Sequence, residues 1–217
     1  MKKTAIVIGA TGLVGTALLQ LLCEQDSYES IKVIARKKGF ENPKIEYFLT
    51  DFEKMDDFSD KWLADDAYCC LGTTLRQAGS KANFYTVDFR YVLHFAQILS
   101  KNKAKKFLMV SSLGAKTNSM FYYSRTKAQA ENAVKQLKFE AIHIFRPSLL
   151  LGQRKEKRFG EDVAKRIDRL FSFMLPKRYK GIEAETVAKA MLKAATKNQN
   201  GIYIHESDKI VDLANGL

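Results

Sequence analysis

Residues 6–15 read Ile6-Val7-Ile8-Gly9-Ala10-Thr11-Gly12-Leu13-Val14-Gly15, an apolar strand that runs directly into glycines and then into an amphipathic helix. Gly9 permits a tight turn, and Gly12 lets backbone N–H groups approach a pyrophosphate. Gly15 is expected to let helix and strand pack closely. The spacing GxxGxxG matches the dinucleotide-binding pattern GxGxxG only in part, so glycines that merely form a turn are the alternative.

Short apolar runs alternate with longer periodic ones along the rest of the chain, which predicts repeated βαβ units. The fold class is therefore α/β, a doubly wound parallel sheet of the Rossmann type. We expect strands at Ala5–Ile8, Ile31–Ala35, Ile45–Leu49, Ala67–Leu71, Phe107–Val110, Ala141–Phe145 and Ile202–Ile204, with helices from Leu13 to Leu22 and over Phe84–Leu99, Ser124–Leu137 and Thr186–Ala195.

A length of 217 residues suits one domain of this kind. The alternation gives way near Gly152 to the charged run 153–158. We expect residues 1–152 to form the cofactor-binding core and residues 153–217 a small appendage on the substrate side, since about 65 residues could hardly hold a core alone.

The end of the second strand distinguishes two cofactors. An acidic residue there usually meets a free ribose hydroxyl, whereas arginine meets a 2′-phosphate. Here the strand ends in Arg36-Lys37-Lys38, which favours NADP(H), with a solvated basic turn as the alternative. Asp51 and Phe52 follow the third strand, where an adenine would be contacted.

The charge of the chain favours an anionic partner. Lys and Arg number 36 against 24 Asp and Glu, and the segment from Arg146 to Lys180 contributes about +7 of the net +12. Solubility alone could also explain this charge. No nucleic-acid reader motif accompanies the basic stretch, so a nucleic-acid partner is not expected.

Cysteine and histidine spacing predicts neither metal nor disulfide chemistry. Cys69 and Cys70 lie in an apolar run, where buried free thiols act as small hydrophobes. The histidines are scattered, so we expect structural roles and no metal site. No apolar stretch approaches the about 15 to 20 residues of a membrane span. We therefore expect a soluble cytoplasmic protein without a membrane partner; a homodimer is left open.

Four stretches, in order, make the chain resemble the short-chain dehydrogenase/reductase superfamily. They are Gly9–Gly15, Cys69–Thr74, Val110–Ala115 and Tyr123–Lys127, followed by Phe145-Arg146-Pro147. Within it the chain looks like the atypical branch of the Tat-interacting-protein oxidoreductases and, more distantly, the NmrA-like proteins. The resemblance implies that the cofactor contacts Gly9, Thr11, Gly12, Leu13, Val14, Gly15, Arg36, Lys37, Asp51, Phe52, Leu71, Gly72, Thr73, Tyr123, Lys127 and Pro147.

By the same resemblance, chemistry would come from Ser112, Tyr123 and Lys127. Tyr123 and Lys127 are four apart on a predicted helix and so share one face. A lysine ammonium near a phenol favours acid/base work near neutral pH. Lys127 would also hold the nicotinamide ribose, and Ser112 would hydrogen-bond the substrate oxygen. Ser111 could replace Ser112, because strand ends are uncertain by a residue or two.

Asp88 departs from the resemblance, because related extended members usually carry asparagine there. It could disturb a proton relay, or it could only cap the helix or pair with Arg90. Tyr122 lacks a lysine four residues on and is expected to be a pocket wall.

Two hypotheses of function follow. The first is an NADPH-dependent reductase of a small-molecule carbonyl. Its pocket would be lined by aromatic and apolar residues of the last third of the chain, which could instead form core: Phe159, Phe171, Phe173, Met174 and Tyr179. The second is a non-catalytic regulator that senses the NADP(H) state and contacts another protein.

Overall fold

The computed structural model describes residues 2–152 and 176–216, and in this part of the chain seven parallel strands form a central sheet. The strands are β1 (Lys3–Ile8), β2 (Tyr28–Ala35), β3 (Ile45–Leu49), β4 (Asp66–Cys69), β5 (Lys106–Val110), β6 (Ala141–Arg146) and β9 (Gly201–Glu206), with β7 (Leu150–Leu151) and β8 (Ile182–Glu183) in a separate parallel pair. The order in the sheet is β3-β2-β1-β4-β5-β6-β9. The order reverses beside β1, which confirms the predicted doubly wound sheet.

Helices cover both faces of this sheet. They are α1 (Leu13–Glu24), α2 (Leu75–Ala78), α3 (Lys81–Tyr85), α4 (Tyr91–Lys101), α5 (Tyr122–Val134), α6 (Ala184–Thr196) and α7 (Ser207–Asn215), with 3-10 segments at Phe52–Lys61 and Lys177–Tyr179 and a π-helical turn at Thr86–Arg90. Among the described residues, no helix combines the length and apolarity needed to cross a membrane.

Alternate residues of the strands feed two separate cores. On β1, Ala5 and Val7 face one core, which contains α1, α6 and α7. Ile6 and Ile8 face the other, which contains α4 and α5. All four are fully buried. This pattern is why the strands read as continuous apolar runs, as a sheet covered on both sides requires.

The end of the chain completes the first core. Helix α6 packs against α1, and β9 pairs in register with β6 at the edge of the sheet. The segment expected as a substrate-side appendage thus contributes one strand and two helices to the Rossmann layers themselves. Residues 153–175 lie outside the described part of the chain.

The helix expected over Phe84–Leu99 is a composite. Helix α3 passes into the π-helical turn Thr86–Arg90, and α4 continues from Tyr91. Such turns insert one residue into a helix and often accompany functional sites. Here the turn carries Asp88, whose side chain is fully buried.

Candidate cofactor and active site

The glycines after β1 permit two very close backbone approaches. Gly9 adopts a φ of +78°, and a Cβ on it would lie 2.5 Å from the carbonyl carbon of Cys70. A Cβ on Gly15 would lie 2.2 Å from the carbonyl oxygen of Gly9. Neither position tolerates a side chain without movement of backbone. We expect from the sequence that Gly15 lets the helix pack closely on the strand. In the structure its close contact is with the turn, at Gly9 and Ala10.

The N-terminus of α1 presents backbone N–H groups that no side chain caps. Gly12 is the N-cap residue, its backbone is extended, and no side chain caps the helix. The first N–H groups of a helix, those of Leu13 and Val14 here, have no acceptor within it. Thr11 and Gly12 are exposed. We call residues 9–15 the phosphate turn, because bare donors and helix dipole fit the diphosphate of a dinucleotide there.

A cleft at the end of β2 adjoins the predicted 2′-phosphate position. Its lining comprises Arg36, Leu49, Thr50 and Asp51. The Arg36 guanidinium lies over the Phe52 ring, 5.7 Å from the centroid, within cation–π range. Arg36 and the neighbouring Lys37 are exposed, so both charges are accessible to an anion.

Lys127 of α5 forms a buried ion pair with Asp88. The distance from Nζ to Oδ1 is 2.7 Å, and the side chains are 6% and 0% exposed. Burial alone would lower the pKa of Lys127, but the Asp88 carboxylate outweighs this effect and raises the pKa above its ordinary value. Lys127 is therefore held as an ammonium.

The loop after β4 lies directly on this ion pair. The Thr73 N–H donates to Asp88 Oδ2 at 2.9 Å. A Cβ on Gly72 would lie 3.2 Å from Lys127 Nζ and 3.3 Å from Asp88 Oδ1. Of the roles considered for Asp88, pairing with Arg90 is not observed, since the Arg90 guanidinium lies over the Tyr85 ring.

Tyr123 occupies the first turn of α5, on the side of Lys127. Its ring centroid is 5.4 Å from that of Phe84, and its side chain is half-buried. Tyr123 also acts electrostatically on Lys127. The neighbouring Tyr122 is anchored differently, because its hydroxyl donates to the Lys81 carbonyl at 3.2 Å.

The two serines after β5 differ in their partners. Ser111 is buried, and its hydroxyl donates to Glu131 Oε1 at 2.5 Å. Ser112 is half-buried, and its hydroxyl donates to the Leu113 carbonyl at 3.3 Å, a long and weak bond. Ser112 is thus the more available of the two to a substrate, which favours Ser112 over Ser111 as the residue that contacts the substrate.

Glu131 joins the site to the end of β6. Arg146 donates to it twice, Nε to Oε1 at 2.9 Å and Nη2 to Oε2 at 2.5 Å. Glu206 lies between Arg146 and Arg178, at 3.8 Å and 2.6 Å respectively. Glu131 was not among the residues predicted from the sequence, although its position four residues after Lys127 places it on the same helical stripe.

The remaining predicted cofactor residues lie at the carboxyl edge of the sheet. Leu71 is buried, and the Pro147 carbonyl accepts the Leu113 N–H at 2.9 Å, tying the end of β6 to the Ser112 loop. Of the predicted pocket residues, Tyr179 is exposed. The others, Phe159, Phe171, Phe173 and Met174, lie outside the described residues, as does the basic run 153–158.

The three histidines have local partners, and the Cys69 thiol is buried. His94 lies 3.0 Å from the Asp56 carboxylate, and His143 Nδ1 lies 3.1 Å from His205 Nε2. Burial raises the pKa of Cys69 to about 12, which keeps it a thiol. Within residues 2–152 and 176–216, no three His, Cys, Asp or Glu side chains are grouped to hold a metal.

Comparison with known proteins shows the family. Residues 5–205 match the model of the NAD dependent epimerase/dehydratase family. The chain is 35% identical over 198 residues to protein HTATIP2 of Rattus norvegicus, covering 88% of this chain and 80% of that protein. It is 32% identical over 231 residues to protein FMP52 of Candida albicans, with 99% of both chains covered.

Solved structures share the fold at low identity. MoeE5 in complex with UDP-glucuronic acid and NAD has a TM-score of 0.73 at 12% identity, over 98% of this chain and 81% of that one. This likeness shows the Rossmann architecture and no more.

The relatives also correct the expected cytoplasmic location. FMP52 of Candida albicans and its counterpart in Emericella nidulans are both named mitochondrial. The cytoplasmic prediction is therefore wrong; it rested on the lack of a long apolar stretch, a property that argues against a membrane span and does not distinguish compartments. The resemblance read from the four sequence stretches is confirmed, and the chain belongs to the NAD dependent epimerase/dehydratase family of the short-chain dehydrogenase/reductase superfamily.

Proposed function

We propose that this chain is an NADPH-dependent reductase of a small-molecule carbonyl, with Tyr123 as the proton donor. The observation that carries the proposal is the buried Lys127 ammonium on the same side of α5 as Tyr123, at the sheet edge where the phosphate turn lies. The glycine contacts and the uncapped start of α1 fit a dinucleotide there.

The residues of the site have distinct tasks. The bound nicotinamide cofactor supplies a hydride to the carbonyl carbon. Ser112 donates a hydrogen bond to the substrate oxygen, and Tyr123 gives that oxygen its hydroxyl proton as the alcohol forms. Lys127 stabilises the phenolate that remains and holds the nicotinamide ribose. Solvent returns a proton to Tyr123.

Turnover tests the proposal. Purified protein is screened for NADPH oxidation against a panel of aldehydes, ketones and quinones. Tyr123→Phe should lower the rate of an accepted compound about 100-fold or more. Tyr122→Phe is the matched control, because it removes a hydroxyl from the same helical turn whose partner is the Lys81 carbonyl. Unchanged activity in Tyr123→Phe excludes the assigned role.

Preference for NADP(H) is proposed from the exposed Arg36, whose planar guanidinium can bind a 2′-phosphate through two hydrogen bonds. MoeE5, the solved structure named above, contains NAD, so cofactor choice requires its own measurement. Arg36→Ala should weaken NADPH binding about tenfold or more and NADH binding little, with exposed Lys101→Ala as control. Equal losses for both cofactors contradict the assignment.

A second function, a regulator that senses NADP(H) and contacts a protein, has one observation in its favour. Met120 and Phe121, directly before α5, are 94% and 75% exposed. Apolar side chains beside a cofactor site could serve a protein contact. Tight NADPH binding without turnover of any panel compound would favour this function over reduction.

A further inference from the structure

The two chain segments that flank Tyr123 carry positive charges and no negative ones. Neither Asp nor Glu occurs in residues 67–87, which run from β4 through α3, or in residues 107–130, which run from β5 into α5. Their basic residues are Arg76, Lys81, Lys116, Arg125 and Lys127. The loops after β4 and β5 lie at the carboxyl edge of the sheet, where open α/β sheets bind their ligands. The two segments therefore bring only positive charge to that edge.

The acidic residues that follow these segments are buried in pairs of their own. Asp88 binds Lys127, and Glu131 binds Arg146 and the Ser111 hydroxyl. Both carboxylates are thereby occupied inside the protein. They neutralise Lys127 and Arg146 and leave the more exposed cations of the two segments unbalanced.

Two of these cations converge on one aromatic ring. Lys81, the first residue of α3, places its Nζ 5.5 Å from the centroid of Tyr122, and the guanidinium carbon of Arg125 lies 5.8 Å from the same centroid. The ring attracts both cations, but their like charges repel each other. Within residues 2–152 and 176–216, no carboxylate forms an ion pair with either one. An anion bound beside both would remove the repulsion.

The guanidinium of Arg125 is held in place by the backbone. Its Nη1 donates to the carbonyls of Ser119 and Met120, at 2.8 and 2.9 Å. Its Nε and Nη2 have no acceptor in the described part of the chain. A planar guanidinium with one edge fixed and other N–H groups available suits the oxygens of a carboxylate or a phosphate. Because the group is already ordered, binding costs little side-chain entropy.

Phe84 of α3 connects this cation pair, Lys81 and Arg125, to the catalytic residues. Its ring centroid lies 6.1 Å from that of Tyr122 and 5.4 Å from that of Tyr123. The Tyr122 hydroxyl also donates to the Lys81 carbonyl at 3.2 Å, which ties the start of α3 to the start of α5. The cation pair and the Tyr123 phenol thus border the same aromatic cluster.

We propose that Lys81 and Arg125 bind an anionic group of the substrate, so that the carbonyl compound reduced at Tyr123 carries a carboxylate or a phosphate. The inference rests on the proposed function and names its substrate class. The Tyr122 ring holds the two cations together, and the substrate anion supplies the negative charge that the surrounding chain lacks.

The first test needs no turnover. Protein labelled with ¹⁵N is titrated with succinate and, separately, with inorganic phosphate, and the amide resonances are followed. Saturable shifts are expected at the starts of α3 and α5 with at least one of the two anions, with a Kd of about 10 mM or tighter. Each amide reports its own position, so this binding is distinguished from binding of phosphate at the phosphate turn. Absence of saturable shifts there with both anions overturns the proposal.

Variants assign the binding to the cation pair. Lys81→Met removes the charge, keeps an apolar chain over the Tyr122 ring and should weaken the anion about tenfold or more, whereas Lys81→Arg should restore it. Lys101→Met, which removes an exposed lysine at the end of α4, is the matched control and should change nothing. Undiminished affinity in folded Lys81→Met contradicts the assignment.

The second test compares matched substrates. Succinic semialdehyde is paired with butanal, and glyceraldehyde 3-phosphate with glyceraldehyde, so that the two pairs distinguish a carboxylate from a phosphate. The native protein should reduce the anionic member of at least one pair with a kcat/KM about tenfold or more above that of its neutral partner. This preference should shrink in Lys81→Met, through KM rather than kcat, and persist in Lys101→Met.

Failure of this inference is separate from failure of the proposed function. Reduction of neutral and anionic partners with equal kcat/KM leaves the reductase intact and overturns the substrate class. Anion binding at the cation pair without turnover of any compound contradicts the reductase and keeps Lys81 and Arg125 as an anion site.

Discussion

Replacement of Glu131 by alanine should lower the free energy of unfolding more than the loss of a surface ion pair does. Glu131 is 1% exposed and accepts three hydrogen bonds, one from Ser111 and two from Arg146. Removing one partner of a buried pair costs about 3 to 5 kcal/mol, because the other charge is left desolvated and unpaired. Arg146 retains 18% exposure and a neighbouring Glu206, so we expect the lower end, about 3 kcal/mol.

The assay is urea unfolding followed by circular dichroism, with a parallel thermal melt. In a chain of this size about 3 kcal/mol corresponds to a fall in Tm of roughly 6 to 12 °C. Glu131→Gln keeps an oxygen acceptor for Ser111 and should lose less. Asp212→Ala, which removes an exposed partner of Lys209, should change the stability by about 0.5 kcal/mol or less.

A loss in Glu131→Ala no larger than that of Asp212→Ala would refute the reasoning. It would mean that Arg146 regains water or Glu206 at little cost. The junction between α5 and the end of β6 would then not depend on Glu131.

Two further expectations concern the phosphate turn and the edge of the sheet. Gly15→Ala should weaken dinucleotide binding at least tenfold in a fluorescence titration, because its Cβ would lie 2.2 Å from the Gly9 carbonyl oxygen; unchanged affinity in a folded variant would contradict the geometry. Burial lowers the pKa of both His143 and His205 to about 4, below the unfolded value of about 6.5; the positive charge of Lys197 adds to this effect at both rings, and that of His205 adds to it at His143. The native state therefore binds fewer protons, so the free energy of unfolding should be unaffected by these groups above about pH 6.5 and decline between pH 6.5 and 4. His205→Gln should show a shallower decline over that window in urea unfolding, and identical slopes would exclude the pair as its source.

The fold could be predicted from the sequence because the apolar pattern along the chain agrees with the burial of each element in the structure. Strand β3 begins and ends where its apolar run does, at Ile45–Leu49. Strand β2 is longer than expected, starting at Tyr28 rather than Ile31, because its first residues pair beside β1 instead of forming an apolar run. The π-helical turn has no periodic signature, since one inserted residue leaves both flanking helices amphipathic.

The candidate site could be predicted from the sequence only in part. Tyr123 and Lys127 share one helix, so their proximity follows from spacing alone. The partners of Lys127 and Ser111, Asp88 and Glu131, come from segments whose meeting depends on how helices pack over the sheet. No spacing rule gives that packing, and a buried carboxylate looks the same in sequence as an exposed one.

Tyr123, Lys127 and Glu131 share one helix but point in slightly different directions. Each step of four residues advances about 6 Å along α5 and about 40° around its axis, so the three side chains contact three different neighbours from one rigid helix. Adding or deleting a single residue between Tyr123 and Glu131 would rotate every later side chain of α5 by about 100° about the helix axis. Substitutions can retune one group at a time, but evolution can lengthen or shorten this helix only outside residues 123–131.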